Sequence, residues 1–171
     1  MRKQIQTPEE AEKRTGHIAA AATVGLLIFL AAILTYAYAK FLPPPPEQAV
    51  RRFLVAHQDS TWDYVEYSLI GPVEAKALYT LTASHCRLVG FRTADSFLKR
   101  LSWSLGHAGE EVSLKMHEYY APAEPGPLKK VEVEYILERH EGMWLIRLDS
   151  IISDSGIDGY LSQRGVPTPS L

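Results

Sequence analysis

The hydrophobic pattern of this chain changes period twice. Residues 18–39, IAAAATVGLLIFLAAILTYAYA, carry no charged side chain. At 1.5 Å rise per residue such a run spans about 33 Å, enough to cross a hydrocarbon layer of about 30 Å. Tyr36, Tyr38 and Lys40 close it with the amphipathic side chains of a membrane interface. From 47 to 105 the apolar residues recur at helical spacing. Glu47 to His57 places Val50, Phe53 and Leu54 on one side and Arg51, Arg52 and Gln58 on the other. Asp59 or Ser60 is the expected cap of a second helix carrying Trp62, Val65 and Leu69. Gly71-Pro72 breaks it, and a third helix runs through Val73, Ala77, Leu78 and Leu81. After a β-like stretch at 86–91, Thr93 or Asp95 should cap a helix with Phe97, Leu98, Leu101 and Leu105, stopped by Gly106.

Beyond Gly109 the period falls to 2. Val112, Leu114 and Met116 alternate with Ser113, Lys115 and His117. Val131, Val133, Tyr135 and Leu137 alternate with Glu132, Glu134, Ile136 and Glu138. Trp144, Ile146 and Leu148 follow the tight hairpin signal His140-Glu141-Gly142. Three antiparallel strands are predicted. The last is apolar on both faces and so expected to be central. On that basis Trp144 is a core residue, and Trp144→Ala should cost about 3–5 kcal/mol.

Helices followed by a long antiparallel sheet define an α+β fold. Element order, together with the opening PPEQAVRRFLVAHQDSTWDYVEYSL, resembles the first two helices of membrane-anchored domains of the NTF2-like (cystatin-like cone) superfamily. The resemblance implies helices packed on a curved antiparallel sheet over residues 47–152. With a cytoplasmic stub (1–17), one span (18–39) and a proline-rich linker (40–46), the architecture is similar to inner-membrane assembly components of type IV secretion and conjugation machines. It is similar also to small anchored bacterial domains. No site residues transfer from either.

The flanks of the span set its expected orientation. Arg2, Lys3, Lys13 and Arg14 precede it, and Lys40 alone follows closely. The excess of basic residues puts the N-terminus in the cytoplasm and the domain outside it. Ala37-Tyr38-Ala39 fits a signal-peptidase pattern, but the apolar run exceeds a signal-peptide core and large tyrosines flank the site. An uncleaved anchor in a bacterial inner membrane is therefore expected, with release after Ala39 as the rival. In the stub, Thr7, Pro8 and Glu10 spell a capping box, and Gly16 is the expected stop of a short helix. Pro43 to Pro46 read as a stiff polyproline spacer, and the Gly/Ser/Pro-rich residues 153–171 as a mobile or partner-bound tail.

Composition narrows the function. The 171 residues, 46% hydrophobic and 22% charged, suit one globular domain with an appendage, and a net charge of −2 is no basis for nucleic-acid binding. From Glu47 onward 13 basic residues stand against 17 acidic ones, which argues against adhesion to anionic lipid. One cysteine, Cys86, excludes an intrachain disulfide, and the histidines lack metal-ligand spacing. No Walker loop, dinucleotide fingerprint, HExxH or GxSxG occurs. No cofactor or metal is expected. NTF2-like enzymes place a carboxylate and a tyrosine in the cone mouth, and that resemblance nominates Asp63, Tyr64, Tyr67 and Tyr135 as catalytic candidates. The stronger reading makes Asp63 a charge that favours a helix start, and Tyr135 a core residue.

The first expectation is therefore a non-catalytic scaffold whose domain binds other subunits of a membrane complex, with further copies of itself as an option left open. The alternative is a small-ligand-binding or isomerase-like enzyme using the cone interior. A filled interior favours the first. A hollow of about 300 Å³ or more with converging Asp and Tyr favours the second. Two surfaces are nominated for contact. Ala21, Ala22 and Gly25 form a smooth face for another membrane helix. Glu132, Glu134 and Glu138, with Lys115 and Arg147 as cross-strand partners, form an acidic sheet face that serves either as plain solvated surface or for docking.

Overall fold

The computed structural model describes residues 8–41, 44–152 and 155–167. The chain divides into two compact units, residues 1–42 and 43–171. The first holds one helix, α1 (Pro8–Phe41), with proline at its first position, where a missing N–H is harmless. Its window Ala21–Tyr38 has a mean hydropathy of 2.0 and none of it is buried. Thr35 satisfies its hydroxyl by donating to Ala31 O at 2.8 Å, so this polar group needs no outside partner. The expected stop at Gly16 does not occur. A mid-helix glycine costs only about 1 kcal/mol relative to alanine, and the helical run continues through it. Thr7 lies outside the described residues.

The second unit begins with α2 (Pro45–Gln58). Pro44 is extended, but Pro45 and Pro46 form the first turn of this helix, whose N–H groups have no intrahelical partner anyway. The described prolines thus divide between an extended residue and a helix start, so the polyproline spacer is shorter than expected; Pro43 lies outside the described residues. α2 buries Val50, Phe53, Leu54 and His57. The expected second helix is cut short. Ser60 adopts a left-handed φ of 57°, and Ser60 and Thr61 donate back to His57 and Ala56, closing α2. Only Tyr64–Ser68 (α3) is helical, and Leu69 leaves it for the two-residue strand β1 (Leu69–Ile70). Gly71 then lets the chain pass Leu148, whose Cβ would lie 3.2 Å from an added side chain.

After α4 (Val73–Ala83) comes β2 (Arg87–Thr93), and then α5 (Phe97–Ser104). Its cap is Ser96, not Thr93 or Asp95, because Thr93 belongs to the strand and Asp95 is engaged elsewhere. Asp95 accepts from Lys115 N at 2.8 Å and pairs with Lys99 Nζ at 2.7 Å. The long strands β3 (Glu111–Ala121) and β4 (Lys129–His140) lead to β5 (Met143–Arg147) through Glu141 and Gly142, both at positive φ, as a tight two-residue hairpin requires. One turn of 3₁₀ helix (Leu148–Ser150) and α6 (Gly156–Gln163) complete the unit.

The five strands form one sheet in the order β1-β5-β4-β3-β2, antiparallel except for β1 with β5. With six helices this is a mixed α+β architecture. The central strand is β4, not β5. β5 is short and has only two-residue β1 beyond it, so Trp144 sits half-buried at the rim of the core. On β4, Val131, Val133, Tyr135 and Leu137 face the core while Glu132 and Glu134 face solvent. α2 lies against β2, β3 and β5, and α4 against α3 and α6. The tail is not a loose extension: α6 buries Tyr160, and Arg164 just beyond it is 2% exposed.

Candidate functional site

Tyr64 and Tyr135 both enter the core and pack edge-on to Phe53, with ring centroids 4.9 and 6.0 Å from it. Asp63 does not join them. It stands exposed at the start of α3, making no cap bond, and Tyr67 is 64% exposed. Nothing catalytic converges from these four.

Two carboxylates that the sequence did not nominate are buried: Glu47, held by Arg51 and Arg100, and Glu118. Strand alternation placed the latter there: Val112, Leu114, Met116, Glu118 and Tyr120 share the inward face of β3. Tyr120 donates its hydroxyl to Glu118 Oε2 at 2.6 Å, and Tyr135 donates to Oε1. Arg164 Nη2 lies 3.7 Å from Oε2, and its guanidinium stacks 3.5 Å from the Tyr160 ring centroid. Arg164 Nη1 donates to Tyr160 O at 3.1 Å, while Nε has no partner. Burial and the Glu118 charge hold the Tyr120 and Tyr135 hydroxyls well above their usual range, so both remain donors. Arg164 was hidden in a tail whose composition reads as loop. Its only local signal is the i,i+4 pairing with Tyr160.

Hollows of about 300, 340 and 180 Å³ open on the domain, and none of these is lined by Glu118, Tyr135 or Arg164. The first lies between α2, α3 and β5, with Arg52, Tyr67 and Trp144 in its walls. The third is lined by His57, His85, Cys86 and Arg87. There burial lowers the His57 imidazole to about 4 and leaves Nε2 unpartnered, while burial pushes the Cys86 thiol up to about 11. His85 Nδ1 is held at 2.8 Å from Leu81 O. A thiol of that kind is a poor nucleophile. Among the described residues no group of three His, Cys, Asp or Glu side chains is placed to hold a metal ion.

The acidic sheet face is internally paired. Lys115 lies 3.8 Å from Glu132, His117 lies 3.0 Å from the same carboxylate, and Ser113 donates to Glu134. Arg147 reaches Glu138 at 3.7 Å and Glu111 at 3.6 Å, but its shortest contact is Asp149 at 2.5 Å, a partner the sequence did not nominate. Such exposed pairs contribute at most about 1 kcal/mol each. On α1, Ala21, Ala22 and Gly25 are exposed, and nothing lies within 4 Å of a Cβ built on Gly25.

No protein-family model, curated protein or solved structure matches this chain.

Proposed function

We propose that this protein is a non-catalytic, single-pass membrane subunit whose globular unit is an NTF2-like cone that binds other proteins. The observation that carries this reading is the state of the interior. Both oxygens of Glu118 accept tyrosine hydroxyls and a guanidinium closes that cluster, while the other buried carboxylate, Glu47, is held by Arg51 and Arg100. A general base needs a lone pair that substrate can reach, and Glu118 is buried and lines none of the hollows described above. The α2–α4 layer over a one-sided antiparallel sheet, with α6 packed on α4, supports the cone. The exposed apolar window on α1 supports the anchor. The basic flank formed by Arg2, Lys3, Lys13 and Arg14 supports a cytoplasmic N-terminus and an extracytoplasmic domain in a bacterial inner membrane.

Two measurements test this. A reporter that is active only outside the cytoplasm, fused after Leu171, is expected to be active, and activity of a cytoplasm-only reporter overturns the orientation. Extraction of the intact protein in mild detergent is expected to bring out stoichiometric membrane partners. A monodisperse protein free of any partner overturns the scaffold.

A further inference from the structure

One stretch of sheet edge is left open beside the hollow between α2, α3 and β5. β1 pairs with β5 only at Ile146 and Arg147, because the preceding residues are wound into α3. Alongside Met143 and Trp144, β5 has no strand on its outer side among the described residues. His140 and Met143 close the two-residue hairpin and so exchange backbone bonds. Alternation then turns the Trp144 N–H and C=O away from β4, toward the open side. The hollow of about 300 Å³ lies there. Tyr67 and Met143 line it, 64% and 60% exposed, with Trp144 half-buried beside them.

Charge is placed as deliberately as the apolar surface. Arg52 is the one charged side chain lining this hollow. The nearby Glu47 is already taken by Arg51 and Arg100, and Arg52 has no ion-pair partner among the described residues. The exposed Arg52 guanidinium, in an acid-free lining, is complementary to a carboxylate from outside. A two-fold contact with a second copy does not supply one. There the groove meets itself, bringing Arg52 toward Arg52 with no acid between them.

We propose that this groove seats an extended segment of a partner protein. The segment pairs its backbone at Trp144, sets an aliphatic or aromatic side chain against Tyr67, Met143 and Trp144, and offers an Asp or Glu to Arg52. This is strand addition, with backbone bonds giving affinity and the flanking pocket giving specificity. It rests on the scaffold reading above and supplies that reading with a surface and a partner chemistry.

The test replaces Tyr67 and, separately, Met143 with the photo-cross-linker p-benzoylphenylalanine in the full-length chain, irradiated in native membranes. Lys115 on β3, two strands away from β5 on the solvent-facing sheet surface, serves as the comparison position. Both groove positions are expected to join the same non-self protein, through a segment in which a large apolar residue neighbours an Asp or Glu. Arg52→Glu should lower the adduct yield about tenfold and Arg52→Lys only slightly, and replacing the mapped acid by Lys should restore the yield with Arg52→Glu. Adducts to a second copy or to lipid, or a yield indifferent to Arg52→Glu, overturn the proposal. Non-self adducts from Lys115 but not from the groove overturn the groove and leave the scaffold standing. If no position yields a non-self adduct, both fall.

Discussion

Glu118 and Arg164 show how a single buried charge organises its surroundings. Removing one member of a buried pair strands the other, typically at about 3–5 kcal/mol, whereas replacing both by apolar residues of similar volume is close to neutral. Glu118→Ala is therefore expected to lower stability by about that amount in a urea titration of the full chain, and Glu118→Leu with Arg164→Met to recover only part of it, because the buried Tyr120 and Tyr135 hydroxyls lose their acceptor. Adding Tyr120→Phe and Tyr135→Phe should recover more, and a combined variant no better than Glu118→Ala would show that the loss does not come from stranded partners. His57 gives a pH signature. Burial lowers its pKa from 6.5 to about 4, with Arg164 acting in the same direction and backbone bonds to Ala83 and Cys86 opposing. The unfolded chain thus binds more protons between those values. The contribution is whole above pH 6.5 and fades as pH falls toward 4, by on the order of 3 kcal/mol at most. Replacing His57 with Phe should flatten the stability–pH profile across that window. An unchanged slope would assign the acid sensitivity to other groups.

Among the elements, those governed by period were legible in the sequence and those governed by a single turn were not. β3, β4 and the hairpin followed from alternation and from Glu141-Gly142. α2 and α4 followed from helical spacing. The second helix was overestimated because the left-handed turn at Ser60 uses up the residues that would have begun it. Asp95 failed as a cap because a residue twenty positions on, Lys115, claims its carboxylate, a contact no local pattern contains. Glu118 was legible in principle, since a charged residue in phase with Leu114, Met116 and Tyr120 must face inward. β5 misled for the opposite reason. Apolar residues on both faces suggested a central strand, whereas one face packs on the core and the other borders a groove. Trp144→Ala should consequently cost no more than about 2 kcal/mol, against about 3–5 kcal/mol for Phe53→Ala in the core. Equal losses in thermal unfolding would return Trp144 to the core.

At the scale of the whole molecule the two units present different surfaces, an apolar helix with a smooth Ala21–Ala22–Gly25 face and a domain with a paired, acidic sheet. If the helix packs against a neighbour through that face, Gly25→Leu should weaken co-purification of partners about tenfold while membrane insertion and domain melting stay unchanged. Full retention of every partner would reduce the span to an anchor and leave recognition to the domain.

The burial of Arg164 against Glu118 has a temporal consequence. Forty-six positions separate the two, and β4 and β5 lie between them. During synthesis, and during any passage through a membrane channel, the sheet can pair well before α6 emerges. Until then Glu118 has its tyrosine donors but no counter-charge, and Tyr79 lacks the Tyr160 ring that sits 6.0 Å away in the finished fold. The domain is thus built to complete itself last at its far end. A sheet that pairs before residues 156–164 arrive lacks the guanidinium until they dock. It is in that interval, before the guanidinium arrives, that the interior is open to misfolding, to proteolysis or to a chaperone.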